Sequence, residues 1–180
     1  MLFFTKFKYY HYKTRNIMKK YLITALLLLT ACGPQIGVLG STHTHQDLLI
    51  MINGEKYSLS KPQFMVKAKE VHVESMDGDA IHVHATGVTL GHFFKTLGMK
   101  LDDECFKTRE VKYCSQENKK VSVYVNGELL PGAQDYVMQD LDKILVVYGA
   151  EDDAQVAEYL PLVTDKAKIE SGVGKTMKLG

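Results

Sequence analysis

Thr89-Leu90-Gly91-His92-Phe93-Phe94-Lys95-Thr96-Leu97-Gly98 reads as one helix with its own start and stop. Thr89 offers an N-cap oxygen, and Leu90, Phe93, Phe94 and Leu97 recur at i, i+3, i+4 and i+7. Gly98 permits the left-handed backbone that ends a helix. Such a narrow apolar stripe buries one face only, so this helix requires a sheet to lie on. His92 falls off the stripe and is expected in solvent.

The strands lie on either side. Upstream, Asp47-Leu48-Leu49-Ile50-Met51-Ile52 meets Asn53-Gly54 and leaves as Glu55-Lys56-Tyr57-Ser58-Leu59. Asn-Gly accepts the positive φ values of a two-residue hairpin turn. Downstream, Val121-Ser122-Val123-Tyr124-Val125 followed by Asn126-Gly127-Glu128 repeats the pattern, a likeness short enough to arise from hairpin chemistry without duplication. Lys143-Ile144-Leu145-Val146-Val147-Tyr148 is apolar without alternation, as a strand covered on both faces is, and is expected at the centre of the sheet. Beyond Gly149 the pattern decays through Glu151-Asp152-Asp153, a helical stretch at 156–160 and Pro161. The last ten residues are expected to be disordered.

Strand pair, helix, strand, strand is the order of β-grasp folds. The expected class is therefore α+β, a β-grasp-like mixed sheet with one packed helix, after a lipoprotein signal peptide. Thr86-Gly87-Val88-Thr89-Leu90-Gly91-His92-Phe93-Phe94 with Tyr124-Val125-Asn126-Gly127 and Asp140-Leu141-Asp142-Lys143-Ile144 resembles the β-grasp module that ends transcobalamin-like proteins. Residues 43–149 also resemble a family of uncharacterised secreted proteins and lipoproteins of archaea and candidate-phyla prokaryotes. The shared features are an early His-rich segment, His-Xaa-His before Ala-Thr-Gly-Val-Thr-Leu, Cys-Phe, Tyr-Cys, Val-Asn-Gly and Asp-Lys-Ile-Leu. Some members are described as protein-disulfide isomerases, which implies a vicinal dithiol motif that this sequence lacks.

Residues 1–31 carry six of the 22 Lys and Arg and none of the 21 Asp and Glu. The remainder has sixteen basic against 21 acidic residues, a charge of about −5, which argues against a nucleic-acid binder that neutralises phosphates. From Met18, a possible true start, the chain reads as a basic n-region, a short apolar run at 22–31 and then Cys32. The run is about half of a membrane-spanning helix. Leu29-Thr30-Ala31-Cys32 resembles the lipobox of prokaryotic lipoproteins, which implies cleavage before Cys32, acylation of its thiol, and a lipid-anchored protein on the extracytoplasmic face of the cell membrane. The domain plan is then 1–31 signal peptide, 32–42 lipidated Cys and tether, 43–150 folded domain and 151–180 C-terminal extension.

Outside the cytoplasm thiols pair. With Cys32 assigned to lipid, Cys105 and Cys114 are left as an even pair that fits a structural bridge across a short polar loop, the alternative being a zinc or redox role. Eight residues separate them, whereas redox motifs place two between their cysteines.

Six histidines follow the leader, and five sit in His43-Thr44-His45, His72 and His82-Val83-His84. Val71-His72-Val73-Glu74 and Ile81-His82-Val83-His84 alternate, so each is a half-buried strand with its aliphatic residues inward. Joined as a hairpin through a three-residue loop Asp77-Gly78-Asp79, they set Glu74 opposite His82 and His72 opposite His84, all four on the outer face. Imidazoles with one carboxylate suit Zn(II), Cu(II) or Ni(II), and His43 and His45 would close the site from the edge of the tether. The plainer reading is a polar sheet face open to water.

No enzyme constellation stands out. Ser41 and Ser58 lack a nucleophile-elbow context, and the clusters Asp102-Asp103-Glu104 and Glu151-Asp152-Asp153 read as solvated turns. The expected function is binding: a transition metal, Zn or Cu, on His72, Glu74, His82, His84, His43 and His45, with a protein or small molecule as further partner. The alternatives are a thiol-disulfide oxidoreductase or isomerase using Cys105 and Cys114, and a surface module without metal.

Overall fold

The computed structural model describes residues 35–172. Thr89 Oγ1 accepts the His92 backbone N–H at 3.1 Å and opens helix α1 (Leu90–Thr96), and Gly98 follows it at φ +75°. The stripe is buried as its spacing requires, with Leu90, Phe93 and Phe94 at 0% exposure. Removing any one of these rings or the Leu side chain from water contributes ~1.5–3 kcal/mol.

Beneath α1 lies a mixed seven-stranded sheet. Its strands are β1 (Thr44–Ile52), β2 (Glu55–Lys56), β3 (Val71–Glu74), β4 (Asp77–Val83), β8 (Lys120–Val125), β9 (Glu128–Leu129) and β10 (Lys143–Gly149). The order is β3-β4-β1-β10-β8-β9, with β2 paired to β1. Strand β10 is central, parallel to β1 on one side and antiparallel to β8 on the other. Both Asn-Gly turns form, with φ 52° and 83° at Asn53-Gly54 and 54° and 87° at Asn126-Gly127.

Between α1 and β8, the chain builds a small antiparallel sheet of β5 (Lys100–Leu101), β6 (Cys105–Lys107) and β7 (Lys112–Cys114). Cys105 and Cys114 are direct cross-strand partners and are disulfide-bonded. Phe106, fully buried, meets Phe94 edge to face at 5.1 Å, which seats this sheet against α1.

Strand parity divides β1 between two cores. Leu48, Ile50 and Ile52 join Val71, Val73, Ile81 and Val83 under α1. Leu49 and Met51 point the other way, to Leu145, Val147, Val156 and Val163. That second face is covered by the C-terminal extension through helices α2 (Asp153–Tyr159) and α3 (Lys166–Glu170). The extension is thus part of the fold through residue 172, and the anticipated disordered end falls mostly on 173–180, outside the described residues.

Two expectations are corrected. Order does not begin at His43, because the Gly37 N–H donates to the Thr86 carbonyl at 2.8 Å and the Gly40 N–H to the His84 carbonyl at 2.6 Å. The β3–β4 hairpin turns at Ser75-Met76, both at positive φ (55° and 58°), and not at Asp77-Gly78-Asp79. A two-residue turn alone would put the aliphatic side chains of the two strands on opposite faces. An irregularity between His72 and Glu74 shifts the register and restores a common face, so His72 stands opposite His82 and Glu74 opposite Asp77. The signal peptide, Cys32 and its lipobox lie outside the described residues. No helix among the described residues is long and apolar enough to cross a membrane.

Candidate metal centre

Three neighbouring strands carry one row of imidazoles. His45 on β1 pairs with His82 on β4, and His82 pairs with His72 on β3. Ring centroids are 4.8 Å apart for His45 and His82 and 5.7 Å for His72 and His82. A second row stands one step along, with His43 and His84 at 4.8 Å. The rows meet at 4.8 Å between His43 and His45 and 5.0 Å between His72 and His84. They stand on the face opposite α1: His45 shares the parity of Leu49 and Met51, His72 and His82 are out of phase with Val71, Val73, Ile81 and Val83, and His43 and His84 flank β1 and β4 beside them.

His43 is exposed at the rim of this face, but the row His45, His82, His72 is not open to water as the plainer reading would have it. His45 is 6% and His72 8% exposed, and the His82 side chain is 11% exposed. Helix α3 lies over this end of the sheet, held by side chains of β1 and β4. Asp47, buried on β1, accepts the backbone N–H of Lys166 at 2.8 Å and of Ala167 at 3.3 Å, and also the Thr164 hydroxyl. Lys166 Nζ reaches Asp77 at 2.7 Å and Asp79 at 3.4 Å. These contacts bring Glu170 Oε2 to 3.1 Å from His82 Nε2 and Ser171 Oγ to 3.0 Å from His45 Nδ1.

Three of the imidazoles, His45, His82 and His84, are held toward the neutral form. Burial pushes His82 down to about 4, assisted by the neighbouring imidazoles and opposed by Glu74. Burial first, and then neighbouring imidazoles, lower His45 and His84 too. Burial, followed by the charges of Asp77, Glu74 and Asp47, raises the Glu170 carboxyl. Neutral imidazoles keep a lone pair, which is the form a metal ion needs.

One ligand atom each from His43, His45 and His82 lie within 4.8 Å of one another. The tetrahedral nitrogens of a zinc site stand ~3.3 Å apart, so small side-chain rotations would bring these onto a common ion. His72 and His84 adjoin this group, and Glu74 Oε2 lies 3.5 Å from His72 Nε2. All six residues singled out in the sequence thus lie in one cluster, with His43, His45 and His82 its tightest part. Sequence reasoning missed Glu170 and Ser171. The available signal was the apolar spacing Val156, Leu160, Val163, Ala167, a helical stripe that Pro161 interrupts.

His92 is elsewhere, and it is not merely solvated: its Nε2 meets Glu70 Oε1 at 2.9 Å. Cys105 and Cys114 are next to Phe106 and Tyr113, which belong to the core on the α1 side of the large sheet. A structural disulfide belongs to an oxidising compartment. No protein-family model, no curated protein and no solved structure matches the chain, so its grouping rests on this geometry alone.

Proposed function

We propose that the protein is a lipid-anchored extracytoplasmic module that binds a transition metal on the histidine face of a β-grasp-like sheet. The observation that carries this reading is the convergence of ligand atoms from His43, His45 and His82 within 4.8 Å. Three imidazole nitrogens form a borderline donor set that favours Zn(II) or Cu(II) over Mg(II) or Ca(II). Support for the β-grasp likeness comes from the parallel β1–β10 pair with α1 across one face. Support for the anchor comes from Leu29-Thr30-Ala31-Cys32 and from the disulfide, which fits an oxidising compartment.

Elemental analysis and calorimetry on protein purified without an oligohistidine tag or chelator test the metal. Binding of Zn(II) or Cu(II) tighter than ~100 μM, about 5.5 kcal/mol, is expected, and its absence overturns the reading. The anchor is tested separately by Cys32→Ser, which is expected to leave the chain uncut or released from membranes. Identical fractionation and mass of both forms would exclude acylation at Cys32.

A further inference from the structure

Five imidazoles and two carboxylates occupy this face, whereas one tetrahedral ion takes four donors. The surplus is not scattered. It falls into two halves of the same construction.

In the first half Ser171 Oγ engages Nδ1 of His45 at 3.0 Å, which leaves Nε2 as its free nitrogen. Glu170 Oε2 stands 3.1 Å from Nε2 of the neighbouring His82. In the second half His72 Nδ1 donates to the Ala68 carbonyl at 3.0 Å, so the lone pair is on Nε2. Glu74 Oε2 stands 3.5 Å from that nitrogen. His84 supplies the second ring of this half, 5.0 Å from His72 between centroids. Two rings bound to one tetrahedral ion have centroids ~5 Å apart, given metal–nitrogen distances of ~2.0–2.1 Å. An outer oxygen that fixes one ring nitrogen and frees the other is the usual setting of a metal-ligating histidine. Here each half has one. A single ion on His43, His45 and His82 leaves the His72–Ala68 bond, Glu74 and His84 without a purpose.

We propose that the face is built for two transition-metal ions, the first on His43, His45 and His82 with Glu170, the second on His72 and His84 with Glu74. The proposal rests on the metal-binding reading above and extends it to stoichiometry. The halves differ in their number of protein donors. The first takes a fourth, Glu170, from a helix pinned through Asp47 and Lys166, whereas the second has only His72, His84 and Glu74. The second ion therefore has three protein donors and a fourth position for water or an incoming ligand, the arrangement of a site that exchanges its ion or acts on a bound molecule. The first, closed by four protein donors, retains its ion.

The test is the number of ions bound by the full chain, purified without an oligohistidine tag, loaded with Cu(II) or Zn(II) and dialysed. Two equivalents are expected, with the second at least tenfold weaker. His72→Ala with His84→Ala is expected to retain one equivalent, and Glu74→Gln to weaken the second equivalent alone by about tenfold or more. With Cu(II), the doubly loaded protein is expected to give an electron paramagnetic resonance spectrum broadened by coupling between the ions, and the His72/His84 variant an isolated-ion spectrum. One equivalent in the unaltered protein overturns the second site and leaves the metal-binding reading standing. Zero equivalents overturn both. The stoichiometry of the unaltered chain decides the matter even where a double variant does not fold.

Discussion

The carboxylate of Asp47 on strand β1 accepts the backbone N–H of Lys166 at 2.8 Å, across 119 residues of sequence. An acidic side chain from a strand thus does the work of an N-cap for α3, whose own cap residue, Asp165, makes no side-chain capping bond. Because His45 precedes Asp47 by two, both point to the same face, and the bond that starts α3 also sets its far end above the histidines.

Asp47→Ala is expected to release α3. Losing a capping acceptor costs about 1–2 kcal/mol, and buried donors left without a partner add to this. Hydrogen exchange is the sensitive measurement: amides of 166–171 should lose protection while those of β10 keep theirs. Unchanged protection at 166–171 would show that α3 is held by other contacts.

Metal-free protein is expected to lose stability on acidification from pH 6.5. The unfolded chain protonates His82 near 6.5, the folded one only at about 4. Between those values the unfolded state binds more protons, so stability falls with pH, by up to about 3 kcal/mol from His82. His45 and His84, both lowered, act in the same direction. Glu170, raised, acts in the opposite direction, but only near the carboxylate range. Urea unfolding at pH 7, 6 and 5 is the check, and equal midpoints would contradict the buried neutral cluster.

His82 stands between His45 and His72 in one row, so His82→Ala is expected to weaken the first ion at least 100-fold. The thermal midpoint reports it. Zn(II) at 100 times its dissociation constant should add about 2.7 kcal/mol to the unaltered protein and far less to the variant. Equal shifts would remove His82 from the ligand set. His92→Ala, which breaks only a half-exposed pair with Glu70, should leave the shift intact and cost under about 1 kcal/mol.

Replacing both Cys105 and Cys114 by Ser is expected to cost about 2–3 kcal/mol, from the loop entropy the bridge removes. Metal affinity should not change, since the bridge joins strands of the small sheet whose Phe106 and Tyr113 pack in the core on the α1 side, away from the histidines. Rapid exchange of this disulfide with a dithiol substrate would instead favour the oxidoreductase alternative.

Local chemistry was legible in the sequence where one short stretch carried the whole instruction. Thr89, the apolar stripe and Gly98 specify α1, Asn-Gly specifies both turns, and the unbroken apolar run 143–148 specifies the central strand. Parity within each strand put His72 with Glu74 and His82 with His84, and the need to bury the aliphatic residues of both strands together put the two pairs on one face. Register was not legible in the same way. Ser75-Met76 takes positive φ without glycine, and the irregularity after His72 has no residue signature, so the pairing differs by two positions from the expected one. Least legible was the cover over the histidines. Asp47 and Lys166 look like ordinary surface charges until the fold brings them together, and Glu170 enters the site only through that long-range bond.

The parallel pairing of β1 with β10 has a bearing on when an ion can be acquired. Strand β1 opens the domain, yet its partner is not complete until Gly149, and the helix that brings Glu170 comes later still. Parallel pairing over such a separation cannot form while the chain is still emerging. A polypeptide that crosses a membrane unfolded would carry its histidines as isolated residues, each too weak a ligand to hold a metal. On the extracytoplasmic reading, the centre is then filled at its destination, from the ions available there, and its occupancy reports that compartment and not the one in which the chain was made.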